Sequence, residues 1–365
     1  SVRRGDDSHK NKVILETFNN LSLDPESPNY IERAIGNQVR AISGTGDQVT
    51  TTGEFVNRSS YIRVASVNLP TLNYLANDGV TVRTDSNGNS YSASLPIAES
   101  GSFQGATGEL TGSANFFADI DSSNTQGLVA GNYSNVITLL ENKDDYQFNI
   151  ISAPGIFNDL HSGTVDNIIS LAETRGDCIV VVDTVDYGSS VSDATTQAGA
   201  LNSSYAATYW PWLQMQSATG KAEFVPASVV IPGIYAFTDA SSAPWFAPAG
   251  LVRGGVVGVI QAERKLSRTD RDTLYNGKVN PIATFPGSGI SVFGQKTLQT
   301  KASALDRVNV RRLLIDLKEF IGNQAQTLVF EQNTVATRNR FLAAVNPFLD
   351  SVTQRQGLYA YRVVM

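Results

Sequence analysis

The sequence predicts a multidomain chain of mixed α+β and α/β class, with a β-rich peripheral domain over residues 1–125 and a layered α/β core domain over residues 126–365. Length is the first reason: 365 residues exceed one ordinary domain, since chains divide at roughly 100 to 200 residues per domain. The second is a change of pattern. Residues 21–132 are rich in Ser, Thr, Gly and Asn with short alternating runs, whereas from Tyr133 onward apolar residues recur at helical spacing between continuous apolar runs. The third is the stretch 245–314, where Gly and Pro punctuate short apolar runs, as tight turns do between buried strands, before Asp306 opens an amphipathic helix.

In the peripheral part, a helix is expected over residues 28–35, with Ser27 as N-cap, Pro28 at the first helical position and Gly36 ending it. Residues 61–67 alternate like a strand, Asn87-Gly88 signals a hairpin, and residues 101–131 read as a turn-rich crossing. In the core, Tyr133, Val136, Ile137 and Leu140 mark a helix, followed by a strand at 148–151. Val165, Ile168, Ile169 and Ala172 repeat that spacing before residues 178–182 (CIVVV), an unbroken apolar run that predicts a strand buried on both faces. Gly287-Ser288-Gly289 fits a hairpin turn. Val310, Leu313, Leu314, Leu317 and Ile321 form an apolar helix stripe with Arg311, Arg312 and Lys318 off it, and a second helix from about Asn333 carries Leu342, Val345 and Leu349, kinked or divided at Pro347. Residues 358–364 (LYAYRVV) alternate like a strand without an exit, which suggests a trimmed fragment.

The net charge is −6, with 41% hydrophobic and 17% charged residues. An acidic balance excludes a phosphate-tracking nucleic-acid binder. The low charged fraction points instead to a chain that buries surface against copies of itself. Cys178, the one cysteine, sits in the CIVVV run and reads as a structural thiol. No apolar run approaches the length of a membrane span, and the first residues do not form a signal peptide.

Chemistry-bearing patterns are sparse. His9 and His161 stand far apart without metal-ligand spacing, and His161 reads as an exposed loop residue. Neither Gly220-Lys221-Ala222 nor Gly254, Gly255 and Gly258 fits a phosphate cradle. No metal or other cofactor is expected. Asp183 and Asp186 follow the 178–182 strand and could, with Trp210 and Trp212, hydrolyse a glycosidic bond if correctly spaced. The simpler reading has the two carboxylates solvating a turn and Trp210-Pro211-Trp212 packing a domain seam.

Several segments together resemble one family. Residues 13–35 (VILETFNNLSLDPESPNYIERAI) are similar to its Glu-rich strand, NLS turn and short helix. Residues 204–212 (SYAATYWPW) are similar to its YxAxYYPW segment, and 225–239 (VPASVVIPGIYAFTD) to its VPPSxxxAGxxAxxD segment, departing at Ala227 and Pro232. The stretch 245–314 resembles its core; Phe293 replaces a usual Trp, and 330–333 (FEQN) stands for FEPN. The family is that of tail sheath proteins of contractile-tailed bacteriophages, and the departures suggest a distant branch of the giant phiKZ type.

The resemblance implies a structural subunit without catalytic activity. Such subunits polymerise as stacked hexameric rings around the tail tube and contract to drive it through the host envelope. Implied partners are further copies of itself, the tail tube protein, and the baseplate and tail terminator proteins, without nucleic acid or membrane insertion. The place implied is the phage tail of the virion, after synthesis in the host cytoplasm. Members stay joined through terminal arms that add strands to neighbours; this chain is expected to lack both and to be monomeric by itself. Arg311 and Arg312 read from their residues as a solvated face, while the resemblance favours an inter-subunit interface with Asp306 and Asn309, because Arg pairs bidentately with carboxylates. The alternatives to a sheath are a tail-associated glycan hydrolase built on Asp183 and Asp186, or a receptor-binding module built on the Ser/Thr/Asn-rich first part.

Overall fold

The computed structural model describes residues 1–4, 12–25, 27–42, 48–67, 133–217 and 220–364. These fall into two compact units, residues 1–67 and 133–364. The hairpin expected at Asn87-Gly88 and the crossing at 101–131 lie outside the described residues.

In the first unit, β1 (Val2–Arg3) pairs antiparallel with β2 (Ile14–Glu16), helix α1 (Ile31–Ile35) follows, and β3 (Val39–Ile42) forms a hairpin with β4 (Val49–Thr52). The helix starts later than the sequence predicts. Residues 27–30 close a turn, with Tyr30 N–H donating to Ser27 O at 3.0 Å, and Tyr30 takes the cap position. Tyr30 is the anchor there, buried and edge-on to Phe55 at 6.2 Å. Gly36 leaves the helix at φ 108°, where a Cβ would stand 2.3 Å from the Asn57 backbone, so only glycine fits. Residues 61–67 form no strand, since alternation alone supplies no partner for their backbone groups.

The second unit is layered. Its elements run α2 (Tyr133–Leu140), β5 (Ile150–Phe157), α3 (Asn158–Arg175), β6 (Ile179–Asp183), α4 (Val191–Ala200), β7 (Ala206–Trp210), β8 (Leu213–Gln216) and β9 (Ala222–Val225). There follow α5 (Ile231–Ser241), α6 (Gly250–Arg253), β10 (Val259–Ala262), α7 (Arg268–Asn276), β11 (Val279–Phe285), β12 (Gly289–Val292), α8 (Val308–Gln326) and α9 (Val335–Gln354). A five-stranded sheet has the order β12-β11-β7-β6-β5, parallel except for the β11–β12 hairpin, and a three-stranded antiparallel sheet has the order β10-β8-β9.

The period-2 geometry of β6 explains its unbroken apolar run. Val180 and Val182 face one core with α3, α4 and α7, while Ile179 and Val181 face another with α5 and α8. Both faces are dry from Ile179 to Val182, and the strand's one polar residue, Asp183, stands at its end. Cys178 is fully buried in the first core, and its thiol is pushed up to about 12, chiefly by loss of water, which fits an inert packing role.

Helices α8 and α9 form a hairpin over a third cluster, in which Leu313, Leu317, Val345, Leu349 and Val352 are buried and Phe320 stacks on Phe348 at 3.8 Å. Thr334 caps α9 by accepting from Thr337 N–H at 3.2 Å, and the helix runs on through Pro347 without dividing. Residues 358–364 form no strand; Leu358, Tyr361 and Val363 pack on that same cluster.

Candidate functional site

The start of α8 is built by the segment before it. Ser303 Oγ accepts from Leu305 N–H at 3.2 Å and sets a short 3-10 turn over Ala304–Asp306. Residues 295–297 then pair with this entry: Thr297 N–H donates to Asp306 O, and Val308 N–H to Gln295 O, each at 2.9 Å. Asn280, wholly buried on β11, fixes the other side of that segment. Its amide donates to Thr208 O at 3.0 Å and Lys296 O at 2.8 Å, and accepts from Lys296 N–H at 2.6 Å.

On this platform the four predicted interface residues separate. Arg311 and Arg312 are each 5% exposed, so the solvated-face reading fails. Arg311 lies over the Tyr205 ring at 3.9 Å and donates to Ser204 Oγ, and loss of water lowers its pKa. Arg312 lies over the Tyr235 ring at 4.6 Å and pairs with Asp239 at 2.5 Å. Arg312 finds its anion, Arg311 a hydroxyl, and both guanidiniums a π face inside their own subunit. Asn309 donates to Trp245 O at 3.1 Å, and only Asp306, beside Arg307 at 3.3 Å, keeps a carboxylate partly in solvent.

The carboxylates of the hydrolase alternative do not converge. Asp183 is buried at the end of β6 and accepts from Ser228 N–H at 3.2 Å and from Ser228 Oγ, joining the sheet to the turn before α5. Asp186 turns instead to Ser189 Oγ at 2.6 Å. Asp183 is therefore tied to the turn before α5 and Asp186 to its own loop, with no hydrogen-bond partner in common. Nor do the tryptophans pack a domain seam: Trp210 lies in the first core, and Trp212 stacks on Phe157 at 5.5 Å within the same unit. His161 is no exposed loop residue either. It lies at a kink in α3, buried, with Nδ1 accepting from Phe157 N–H at 3.2 Å, because the helix begins directly after β5. Among the described residues no group of three His, Cys, Asp or Glu side chains could hold a metal.

Burial raises Asp183 to about 7, above the ordinary value of 3.8, because the charged form loses its water. A carboxyl raised in the folded state adds most stability below the unfolded pKa, and that contribution disappears as pH rises through about 7. Asp183→Asn is therefore expected to gain on the natural chain between pH 5 and pH 7, by up to about 1.4 kcal/mol per pH unit. Urea unfolding at several pH values measures this, and a gap independent of pH would refute it.

The second unit also offers an apolar patch outward. A groove of about 890 Å³ runs between α5 and the β10 edge, lined by Ile234, Phe237, Val252, Val256, Val257 and Ile260. Val257 is 90% exposed and Val252 81%, on a chain with few charges to cover them. Contiguous exposed apolar surface of this kind marks association. Sequence reasoning missed it, because its residues come from segments that read separately as ordinary core.

Comparison with known proteins agrees with a scaffold built for association. Residues 128–298 match the family described as phage tail sheath protein central domain. The chain is 40% identical over 141 residues to the tail sheath protein of Vibrio phage KVP40, covering 39% of this chain and 21% of that protein. To the tail sheath protein of Enterobacteria phage T4 it is 30% identical over 261 residues, covering 70% of this chain and 39% of the other. For Salmonella phage ViI the tail sheath protein is 27% identical, covering 68% and 43%. The matches thus span less than half the length of each relative. Among solved structures, the PVC sheath complex of an extracellular contractile injection system, in its contracted state, superposes with a TM-score of 0.50 at 25% identity, over 62% of each chain. This chain carries a phage tail sheath central domain and is a homologue of the tail sheath proteins of these phages.

Proposed function

We propose that the chain is the core of a contractile phage tail sheath subunit. Copies stack as hexameric rings around the tail tube, meet the baseplate and terminator proteins at the ends, and contract to drive the tube through the host envelope. The peripheral domain, residues 1–125, faces outward, and residues 126–365 form the body. The protein is made in the host cytoplasm and resides in the virion tail. The observation that carries this reading is the 261-residue similarity to a tail sheath protein, which runs over 70% of the chain.

The physics of the second unit suits such work. A sheet dry on both faces and two arginines bolted inside make a body that can move whole while its contacts exchange. Arg311, Arg312 and Asn309 then hold α8 at a fixed angle near the inter-subunit contact, with Asp306 at its rim. No reaction or cofactor is needed. A difference of about 2 to 5 kcal/mol per subunit between two packings, summed over many copies, makes the change irreversible, since about 5.5 kcal/mol already takes a two-state ratio from 1:99 to 99:1.

Antibodies raised against this chain are expected to decorate the whole length of the tail in negatively stained virions of the phage that encodes it. Labelling confined to the tail tip or fibres would overturn the sheath reading in favour of a receptor-binding module.

A further inference from the structure

The second unit carries an apolar projection as well as an apolar groove. At the turn of the α8–α9 hairpin, Val329 is 67% exposed and Phe330 fully exposed, side by side. Nothing local requires an aromatic there, since the hairpin is already held by Leu313, Leu317, Val345 and Leu349 beneath. The groove between α5 and β10 has the converse shape and the same chemistry, with Phe237, Val257 and Ile260 open to solvent.

Charge gives the two features a common orientation. Lys265 is the one charged residue among the described residues lining the groove, and it is exposed. Glu331 follows Phe330 directly. Its partner within the chain, Arg340 at 3.6 Å, forms a pair more than half in solvent on both sides, which is weak and readily exchanged.

We propose that Val329 and Phe330 of one copy seat in the α5–β10 groove of a second copy, with Glu331 beside Lys265. A projection meeting a groove joins unlike surfaces, so a joined pair still has one free projection and one free groove. Contacts of this kind propagate into rings or helices, whereas a two-fold contact stops at a pair. The proposal deepens the sheath reading and rests on its self-assembly.

The test uses Val257→Cys and Gln332→Cys, both at exposed positions, the second leaving Val329 and Phe330 in place, in a chain whose own Cys178 is fully buried. The two variants are mixed in equal amounts and treated with a short bis-maleimide. The product expected is the heterodimer linking position 257 to 332, at about tenfold or more over either homodimer, because even a transient contact raises the local thiol concentration. A chain carrying both cysteines should give a ladder of linked oligomers. A yield equal to that of Val257→Cys mixed with Val56→Cys would overturn the proposal. So would a dominant homodimer linked through 257, which would make the groove a two-fold contact. If virion tails are labelled along their length and the trap fails, the groove assignment falls and the sheath reading stands.

Discussion

Arg312→Ala is expected to lower folding stability by about 3 to 5 kcal/mol, because it leaves a partly buried carboxylate without its cation. Asp239 would keep one oxygen that already has no partner and lose the 2.5 Å pair on the other. Tyr235 would also lose the guanidinium over its ring, and its hydroxyl, 2.7 Å from Tyr209 in the same core, would lose a nearby positive charge. Loss of water raises the neighbouring Asp316, and Asp239 raises it further; without Arg312 the two carboxylates would face each other with less compensation. Urea unfolding at neutral pH measures the cost. The double variant Arg312→Met with Asp239→Leu should recover much of it, since apolar pairs of similar volume often replace buried ions without loss. A single variant within about 1 kcal/mol of the natural chain would show that the pair contributes little, as exposed pairs do.

Asn280→Leu, close to isosteric, is expected to cost about 3 to 5 kcal/mol, from three hydrogen bonds lost together in a dry site. The Lys296 N–H and C=O and the Thr208 C=O would each lose the side-chain partner they have at present. The damage should be directional. Residues 295–297 hold the entry to α8, so amide exchange should quicken there and in the first turn of α8 before it does in β6. Uniform quickening over the whole unit would instead indicate a general loss of core packing.

What was legible in the sequence follows one rule: elements whose residues carry their own periodicity could be found. The helix at Val165, Ile168, Ile169 and Ala172 and the strand in CIVVV needed no partner to be recognised, because burial on known faces fixes the residue types. The turn at Gly287-Ser288-Gly289 was likewise local and lies in the β11–β12 hairpin. The polar interior was not legible. Arg312 meets Asp239 from 73 positions away and Arg311 meets Ser204 from 107, so nothing near either arginine announces that it is inside. Residues 61–67 and 358–364 failed conversely: alternation suggested strands, yet a strand exists only where a neighbour accepts its backbone. The groove and the Val329, Phe330 tip are surfaces assembled from distant segments, which periodicity does not report.

The five-stranded sheet holds its strands in the order in which they are synthesised, from β5 at one border to β12 at the other. Each newly made strand therefore joins a margin already waiting for it, and none has to wedge between two that are bonded. A ribosome could release this polypeptide progressively, with the longest excursion, the stretch between β7 and β11, returning to a ledge that is already standing.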